Sequence, residues 1–216
     1  MPDPKWLRCI RTARRPHDSQ VAFEALEPLD TKRRIVDVVD PGQELMALHG
    51  PPARLPARYE ILSWEWWGGS PSFDSEREVA YRLSERPVFD ELPPSGDDGW
   101  RPGVKQLFFL YRPPGLSREA FRERYHHHTQ TLRDDQPGIA KYVQNVVEEV
   151  VTGAEGEEHD LDGVSELWFS SLADYRERYW SGPGVAEREA RETGRFLDHR
   201  RTWGLMVRER VAPARG

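Results

Sequence analysis

The stretch KQLFFLYRPPGLSREAFRERYHHHTQTLRDDQPGIAKYVQN, Lys105 to Asn145, decides the fold of this chain. Its first segment, Leu107 to Tyr111, is apolar and aromatic and predicts a strand that ends at the following Pro-Pro-Gly. Ser117 then opens a predicted helix that runs to a Gln-Pro-Gly turn, because its hydroxyl can accept from the first free amides. Ile139 to Val151 alternates as a second strand. The order strand, helix, strand indicates an α+β unit.

The predicted helix combines one apolar face with three adjacent histidines. Phe121, Tyr125 and His128 share the face that we expect to pack on the sheet, since residues three, four or seven apart lie on one side of a helix. His126 and His127 point elsewhere, so we expect them at the surface. Adjacent histidines cannot chelate one ion, because a helical metal site uses positions i and i+4. No metal site is predicted.

Four ordered blocks carry a family resemblance: LFFLYRPPGLSREAF, YHHHTQTL, PGIAKYVQN and DGVSELWFSS. Together they resemble the EthD family of the dimeric α+β barrel superfamily, from Lys105 to about Val211. The family usually places a histidine one residue after His128, in a phrase like HxPL, where this chain has Thr129. The resemblance implies a ferredoxin-like unit whose bare sheet face packs on a second unit. It also implies, for some members, dehydration, decarboxylation or cyclisation of aromatic polyketide-like molecules without a metal.

An internal repeat supplies that second unit. The chain of 216 residues has room for two units of about 100 residues each. Ser63 to Trp67 aligns with Ser165 to Phe169, and each is followed by a predicted helix, Phe73 to Ser84 in the first copy and Leu172 to Trp180 in the second. We therefore predict two tandem ferredoxin-like α+β units packed as a single-chain dimeric α+β barrel, a pseudo-dimer. The predicted parts are a diverged unit at residues 1–95, a linker at 96–103 and an EthD-like unit at 104–216.

The N-terminal copy is less regular than the C-terminal copy. Its predicted strands are Trp6 to Ile10, Arg33 to Asp40 and Tyr59 to Trp67, and Gln20 to Leu29 is a helix candidate. No fourth strand is recognisable before the linker. In the C-terminal copy, the polar segment Gly153 to Gly163 is predicted to be a solvated hairpin connection.

Composition excludes several classes of function. The net charge of −6 with mixed signs argues against a nucleic-acid surface. The hydrophobic share is only 37%, but eight Trp and eight Phe can supply a core. Cys9 is the single cysteine, so we expect a small buried residue and no internal disulfide. No apolar stretch predicts a signal sequence or a membrane span, and a cytoplasmic protein without a membrane partner is expected.

The candidate catalytic residues are His128, Tyr125 and Glu166. His128 is either a general acid/base or a hydrogen-bonded packing residue. Glu166 shares a strand face with Trp168, and a buried carboxylate there needs an ion-pair partner or a raised pKa. Asp37 is a similar, weaker candidate. Apolar walls for a substrate, or otherwise core packing, are predicted from the aromatic residues Trp168, Phe121, Trp64 and Trp66.

These residues lead to one functional hypothesis and two alternatives. The first is a cofactor-independent lyase or cyclase of bacterial specialised metabolism that acts on an aromatic or polyketide-like small molecule. His128 would move a proton at a carbon next to a carbonyl, while Tyr125 or Glu166 polarises the oxygen. The alternatives are a non-catalytic binding or accessory protein, and a haem-binding or cofactor-free oxygenase. Further homodimerisation of the chain is left open.

Overall fold

The computed structural model describes residues 4–10, 33–39, 48–49, 59, 61–66, 78–152 and 156–211. These residues contain eight β-strands and four α-helices. The strands are β1 Lys5–Ile10, β2 Arg33–Val39, β3 Ile61–Trp66, β4 Glu78–Asp90, β5 Val104–Leu110, β6 Ile139–Thr152, β7 Gly163–Phe169 and β8 Trp203–Val211. The helices are α1 Arg118–His127, α2 Leu132–Asp135, α3 Leu172–Glu177 and α4 Val185–Thr193.

The strands form a closed antiparallel barrel in the order β1-β3-β2-β8-β5-β7-β6-β4. The first four strands follow the order β4-β1-β3-β2, and the last four follow the corresponding order β8-β5-β7-β6. Two seams close the barrel: β2 pairs with β8, and β4 pairs with β6. Each seam therefore joins the second strand of one set to the fourth strand of the other.

Strand alternation sends one set of side chains into the barrel and the other outward. Leu7 and Cys9 on β1 and Leu107 and Phe109 on β5 are buried in one apolar cluster, which confirms the packing role predicted for Cys9. The Phe109 ring stacks on Trp203 at 4.0 Å between centroids. The outward face of β5, β6 and β7 is covered by the helices. Its apolar contacts include Phe121, Tyr125, Val146, Phe196, Tyr142, Leu167, Phe169 and Tyr175.

Most predicted elements of the C-terminal half are present. Strands form where Leu107 to Tyr111 and Ile139 to Val151 were predicted, and α1 begins where expected. The Ser117 hydroxyl accepts a hydrogen bond from the amide of Ala120 and caps the helix. The helix ends earlier than predicted, however. It stops at His127 and continues as a 3₁₀ turn and the short α2.

The helix predicted at Phe73 to Ser84 is wrong over its described part, because residues 78–90 form strand β4. Val79 and Leu83 have helical spacing, but Val79, Tyr81 and Leu83 also alternate, and all three point into the barrel core. Because this alternating face is buried in the barrel, the segment forms a strand and not a helix. β4 is also the fourth strand that was missing from the N-terminal half. Residues 73–77 and the helix candidate Gln20 to Leu29 lie outside the described residues.

The segment between β6 and β7 is not the solvated connection that its composition predicted. Residues 156–160 form a 3₁₀ helix, and Glu158 and Asp162 are buried. The hydroxyl of Tyr59 donates to the Glu158 carboxylate, and Asp162 accepts from the backbone and guanidinium of Arg112. These acids are buried because each has a specific donor, which composition alone does not show.

Candidate functional site

Two lysines and four carboxylates meet inside the barrel and form what we call the interior cluster: Lys5, Asp37, Glu85, Lys105, Glu166 and Glu209. Lys105 lies at its centre and is 1% exposed. Its Nζ is 2.6 Å from Asp37 Oδ2, 2.9 Å from Glu166 Oε2 and 2.9 Å from Glu209 Oε2. One buried ammonium thus serves three carboxylates from three different strands.

Lys5 extends the interior cluster towards the surface. Its Nζ is 2.6 Å from Glu166 Oε1 and 2.7 Å from Glu85 Oε1. The side chain of Glu85 is 25% exposed, whereas Asp37 at the other end is completely buried. Charged side chains therefore form a continuous chain from the middle of the barrel to solvent.

Three tryptophans line the interior cluster and also bond to it. Trp64 Nε1 donates to Asp37 Oδ2 at 2.6 Å. Trp168 Nε1 donates to Glu209 Oε2 at 3.0 Å, and Trp66 Nε1 donates to Glu85 Oε2 at 3.2 Å. The Nζ of Lys105 also lies 4.4 Å from the centroid of the Trp168 ring, within range of a cation–π interaction. The predicted aromatic wall thus surrounds charged groups.

A set of one lysine, one tryptophan and one glutamate occurs twice in the interior cluster and its lining. On paired strands, Lys5 lies opposite Trp66, and Lys105 lies opposite Trp168. Each lysine also contacts a glutamate on the fourth strand of its own set, Glu85 or Glu209. The seams add a matching relation, since Asp37 lies opposite Glu209 across one seam and Asn145 lies opposite Glu85 across the other.

Asp37 is the one member of the interior cluster whose pKa is raised towards neutrality. Burial raises the pKa of Asp37 to about 7, against the attraction of Lys105, and the charges of Glu209 and Glu166 add to the rise. Among the described residues, the cations bonded to the four carboxylates are Lys5, Lys105 and Arg101, which lies 3.1 Å from Glu209. Four ionised carboxylates would thus face three cations, which leaves one negative charge in excess. This excess favours a state in which one of the four carboxyls keeps its proton.

Glu166 behaves in the opposite way. Burial acts to raise its pKa, but Lys105 and Lys5 outweigh burial and lower the pKa to about 2. Its Oε1 also accepts from Asn145 Nδ2 at 2.9 Å. The ion pair that was the alternative interpretation of Glu166 is therefore present. A carboxylate with such a low pKa stays ionised near neutral pH, which suits an anchor for the lysines better than a proton carrier.

His128, Tyr125 and Phe121 lie in a different layer, between the sheet and the helices. Tyr125 and Phe121 are each 1% exposed, and the Tyr125 hydroxyl is 2.7 Å from Ser165 Oγ. Ser165 and Glu166 are neighbours on β7 and point to opposite faces of the strand. The structure thus does not bring His128 and Tyr125 together with Glu166. The seven predicted site residues divide between two layers: Glu166, Trp168, Trp64 and Trp66 inside the barrel, and His128, Tyr125 and Phe121 outside it.

His128 packs at the end of α1 against α4. Its Nε2 is 2.9 Å from Glu189 Oε1, and its ring lies 5.6 Å from the Phe196 ring. Burial acts to lower the pKa of His128, but the hydrogen bond and charge of Glu189, with Glu192 and Asp135, raise it above the usual value. His128 is buried, but these contacts are with α4 and Phe196, whereas the sequence placed it on the face that meets the sheet.

Comparison with known proteins relates part of this chain to a protein family. Residues 113–200 match the sequence model of the EthD domain family. This segment of the chain is similar to EthD domains. It covers α1 to α4, β6 and β7, and it supplies Glu166 to the interior cluster and Trp168 to the tryptophans that line it. The remaining members of the cluster come from strands on either side of this segment. No curated protein sequence matches the chain.

Solved structures share the whole fold at low sequence identity. An anthrone oxidase-like protein superposes with a TM-score of 0.61 and 10% identity, covering 97% of this chain and 93% of its own. A provisionally assigned monooxygenase from Lactobacillus acidophilus NCFM superposes with a TM-score of 0.54 and 8% identity, covering 99% of this chain and 97% of its own. Another provisionally assigned monooxygenase, from Fusobacterium nucleatum subsp. nucleatum, superposes with a TM-score of 0.53 and 7% identity, covering 98% of this chain and 93% of its own. The likeness in fold to these structures extends beyond the matched segment to nearly the full chain.

Sequence reasoning missed the lysines that organise the interior cluster. A signal for them exists, because Lys5 and Lys105 stand 100 positions apart at the starts of two apolar strands, KWLRCI and KQLFFL. The repeat was recognised on the third strand of each copy only. Glu85 directly follows the segment Phe73 to Ser84, which was predicted as a helix, and no strand was predicted at its position. Among the described residues, no helix is long and apolar enough to span a membrane.

Proposed function

We propose that the chain is a small-molecule enzyme that removes a proton from an aromatic, polyketide-like substrate, as a lyase or cyclase acting in the cytoplasm. One observation carries the proposal: Asp37 is buried beside the Lys105 ammonium, and its pKa is raised to about 7. A general acid/base works best when its pKa lies near the working pH. Perturbed carboxyls of this kind cluster at functional sites.

The two oxygens of Asp37 differ in a way that fits proton transfer. Oδ2 accepts from Lys105 Nζ and Trp64 Nε1, both at 2.6 Å. Oδ1 is buried and has no hydrogen-bond partner among the described residues. We assign Oδ1 as the atom that takes and returns the substrate proton. Oδ2 is held in place by its two donors.

Lys105 would stabilise the negative charge that forms when the proton leaves. The charges of Asp37, Glu166 and Glu209 raise its pKa despite burial, so it remains an ammonium at physiological pH. A fixed positive charge in a water-poor site stabilises an enolate oxygen more strongly than it would in water. Glu166, ionised and bonded to both lysines, would keep Lys105 in position. The half-buried Trp66 and the partly exposed Glu85 mark the end of the barrel from which a substrate would approach, and the side chains between Glu85 and the buried Asp37 would have to move to admit it.

A second candidate function is oxidation by molecular oxygen without a cofactor. It is favoured by the structural neighbours that are named as an anthrone oxidase-like protein and as monooxygenases. Removal of a proton from the methylene carbon of anthrone gives an electron-rich carbanion, and O₂ then converts that carbon to a carbonyl with release of water. Both candidate functions begin with the same proton removal, and they differ in the fate of the carbanion.

We also propose that residues 1–95 and 104–216 are two ferredoxin-like units, joined by a linker at 96–103 and packed as a single-chain pseudo-dimer. Support comes from the strand order that occurs twice and from the repeated set of lysine, tryptophan and glutamate. Fusion would let equivalent positions diverge. Asp37 and Asn145 hold matching places at the two seams, yet only Asp37 can carry a proton.

The experiment isolates proton removal from later chemistry. Purified protein is incubated with anthrone in D₂O under argon, and loss of the methylene proton signal is followed by NMR. We expect the wild type and the exposed-site control Asp134→Asn to accelerate the exchange, and Asp37→Asn to lose the acceleration. Admitting oxygen then tests the second candidate, through anthraquinone formation and oxygen uptake.

Two results would redirect the proposal. If Asp37→Asn exchanges as fast as wild type while His128→Ala does not, proton transfer belongs to the helix layer, as the sequence first suggested. If anthrone and related polyketide acids bind without exchange, dehydration or decarboxylation, the non-catalytic binding alternative is favoured.

A further inference from the structure

A separate ionisable cluster lies outside the barrel, where the end of α1 meets α4. It consists of His128, Glu189 and Glu192, and the proposed function does not use it. We propose that these three side chains bind a divalent first-row transition-metal ion. The inference goes beyond the proposed function and stands or falls independently of it.

The geometry gathers three potential ligand atoms around one point. One atom from each side chain lies within 4.8 Å of the other two. Glu189 Oε1 is 2.9 Å from His128 Nε2, and Glu192 Oε1 is 3.9 Å from His128 Nδ1. Glu189 and Glu192 are three residues apart on α4, so both carboxylates lie on the helix face that meets the histidine. Binding of one ion would require the imidazole and the glutamate side chains to rotate so that one atom from each is directed to it.

An unpartnered buried nitrogen points to a ligand. His128 is 8% exposed, and its Nδ1 is buried without a hydrogen-bond partner among the described residues. Leaving such a group unpaired costs free energy. Nδ1 faces the Glu192 carboxylate at 3.9 Å, beyond hydrogen-bond distance. An ion between the two side chains would satisfy both.

Charge at the cluster also favours a cation. Two carboxylates surround one imidazole, and the nearby Asp135 is already paired with Arg188. Protonation of His128 balances only one of the two glutamates. A divalent ion balances both and leaves the imidazole neutral, which is the form that binds metal.

The donor set selects the class of metal. One imidazole nitrogen and two carboxylate oxygens suit Zn²⁺, Mn²⁺ or Fe²⁺, whereas Ca²⁺ and Mg²⁺ prefer oxygen ligands alone. Glu192 has a side chain that is 34% exposed, so an ion can enter from solvent on that side. The sequence predicted no metal site because three adjacent histidines cannot chelate one ion. The structure supplies ligands from α4 that lie more than 60 residues away in the chain.

The test is a direct binding measurement on the full chain without a histidine tag. The protein is dialysed against chelator and titrated with Mn²⁺, and free Mn²⁺ is followed by its EPR signal. Competition with Zn²⁺ is measured next. We expect one Mn²⁺ per chain, displaced by Zn²⁺. We also expect at least tenfold weaker binding in Glu192→Gln and His128→Asn, and unchanged binding in the exposed-site controls His127→Asn and Glu187→Gln.

Glu192→Gln is the decisive variant, because Glu192 is partly exposed and its side-chain contact among the described residues is the 3.9 Å approach to His128, so we expect its loss to leave the fold intact. Circular dichroism verifies that. Absence of saturable binding would overturn the proposal. So would equal affinity in wild type and Glu192→Gln, or loss of binding in His127→Asn, since that result would place the ion on the surface histidines.

Discussion

Replacing Asp37 by Asn should change the pH dependence of stability more than stability itself. The native state holds the Asp37 proton up to about pH 7, whereas the unfolded chain releases it near the ordinary pKa of 3.8. Between these values the native state binds more protons than the unfolded state, so stability is lost as pH rises. Asn has no such proton, and the variant should lack this loss.

The size of the effect is set by the two pKa values. Each pH unit within the window is worth about 1.4 kcal/mol of unfolding free energy. The slope falls to half as the pH reaches the native pKa, so from pH 5 to pH 7 the wild type should lose about 2 kcal/mol relative to Asp37→Asn. Asn can present its oxygen to Lys105 and Trp64 in place of Oδ2. Its amide then occupies the position of Oδ1, which accepts no hydrogen bond from a described residue.

Urea unfolding followed by tryptophan fluorescence, at half-unit steps from pH 5 to pH 8, measures the difference. The control is Asp134→Asn, the same substitution at an exposed site, whose curve should run parallel to wild type. If the Asp37→Asn and wild-type curves are also parallel, Asp37 is ionised throughout the range. If the variant becomes less stable than wild type as pH rises, Asp37 is a structural anion, and its proposed acid/base role fails with it.

Three further predictions concern the fold and are measured by the same unfolding assay at pH 7. Lys105→Met should destabilise by about 3–5 kcal/mol, because it removes the ammonium shared by three buried carboxylates; a loss under 1 kcal/mol would mean that the carboxylates protonate freely. Gly103→Ala should cost about 3 kcal/mol or more, since φ is +82° and a Cβ would lie 2.0 Å from the carbonyl oxygen of Phe169. Its matched partner Gly115→Ala, at φ +87° with open space around it, should cost only about 1 kcal/mol, and equal losses would contradict the steric argument. Ser117→Ala should cost about 1 kcal/mol through loss of the α1 cap, whereas Ser117→Asp should retain most of the stability.

The sequence predicted those features that local patterns determine. Strands such as β5 and β7 arise from short apolar runs, and the start of α1 is set by Ser117 and the proline-rich turn before it. The prediction for residues 78–84 was wrong because the spacing of Val79 and Leu83 fits both a helix and a strand. Only tertiary burial separates those two interpretations, and burial is not a local property.

The interior cluster was beyond local reasoning for a different reason. Lys105 contacts Asp37, which is 68 positions away, and Glu209, which is 104 positions away. Alternation along β7 did predict the face that Glu166 and Trp168 share. The same alternation places Ser165, which contacts Tyr125 of α1, on the opposite face of β7 from Glu166. A helix residue such as Tyr125 therefore lies on the other side of the sheet from Glu166. The partners of Glu166 depend on how the barrel closes, and single-strand periodicity carries no information on closure.

Closure of the barrel has a consequence for association between molecules. Each of the eight described strands has a neighbour on both sides, so the closed barrel presents no free strand edge to another chain. For the described strands, backbone pairing with a second molecule, and with it ladder extension into fibres, is therefore blocked while both seams hold. The β2–β8 seam is the shorter, pairing only Ile35–Val39 with Val207–Val211. Opening of this seam would expose the edges of β2 and β8, which are the kind of surface that pairs with another chain.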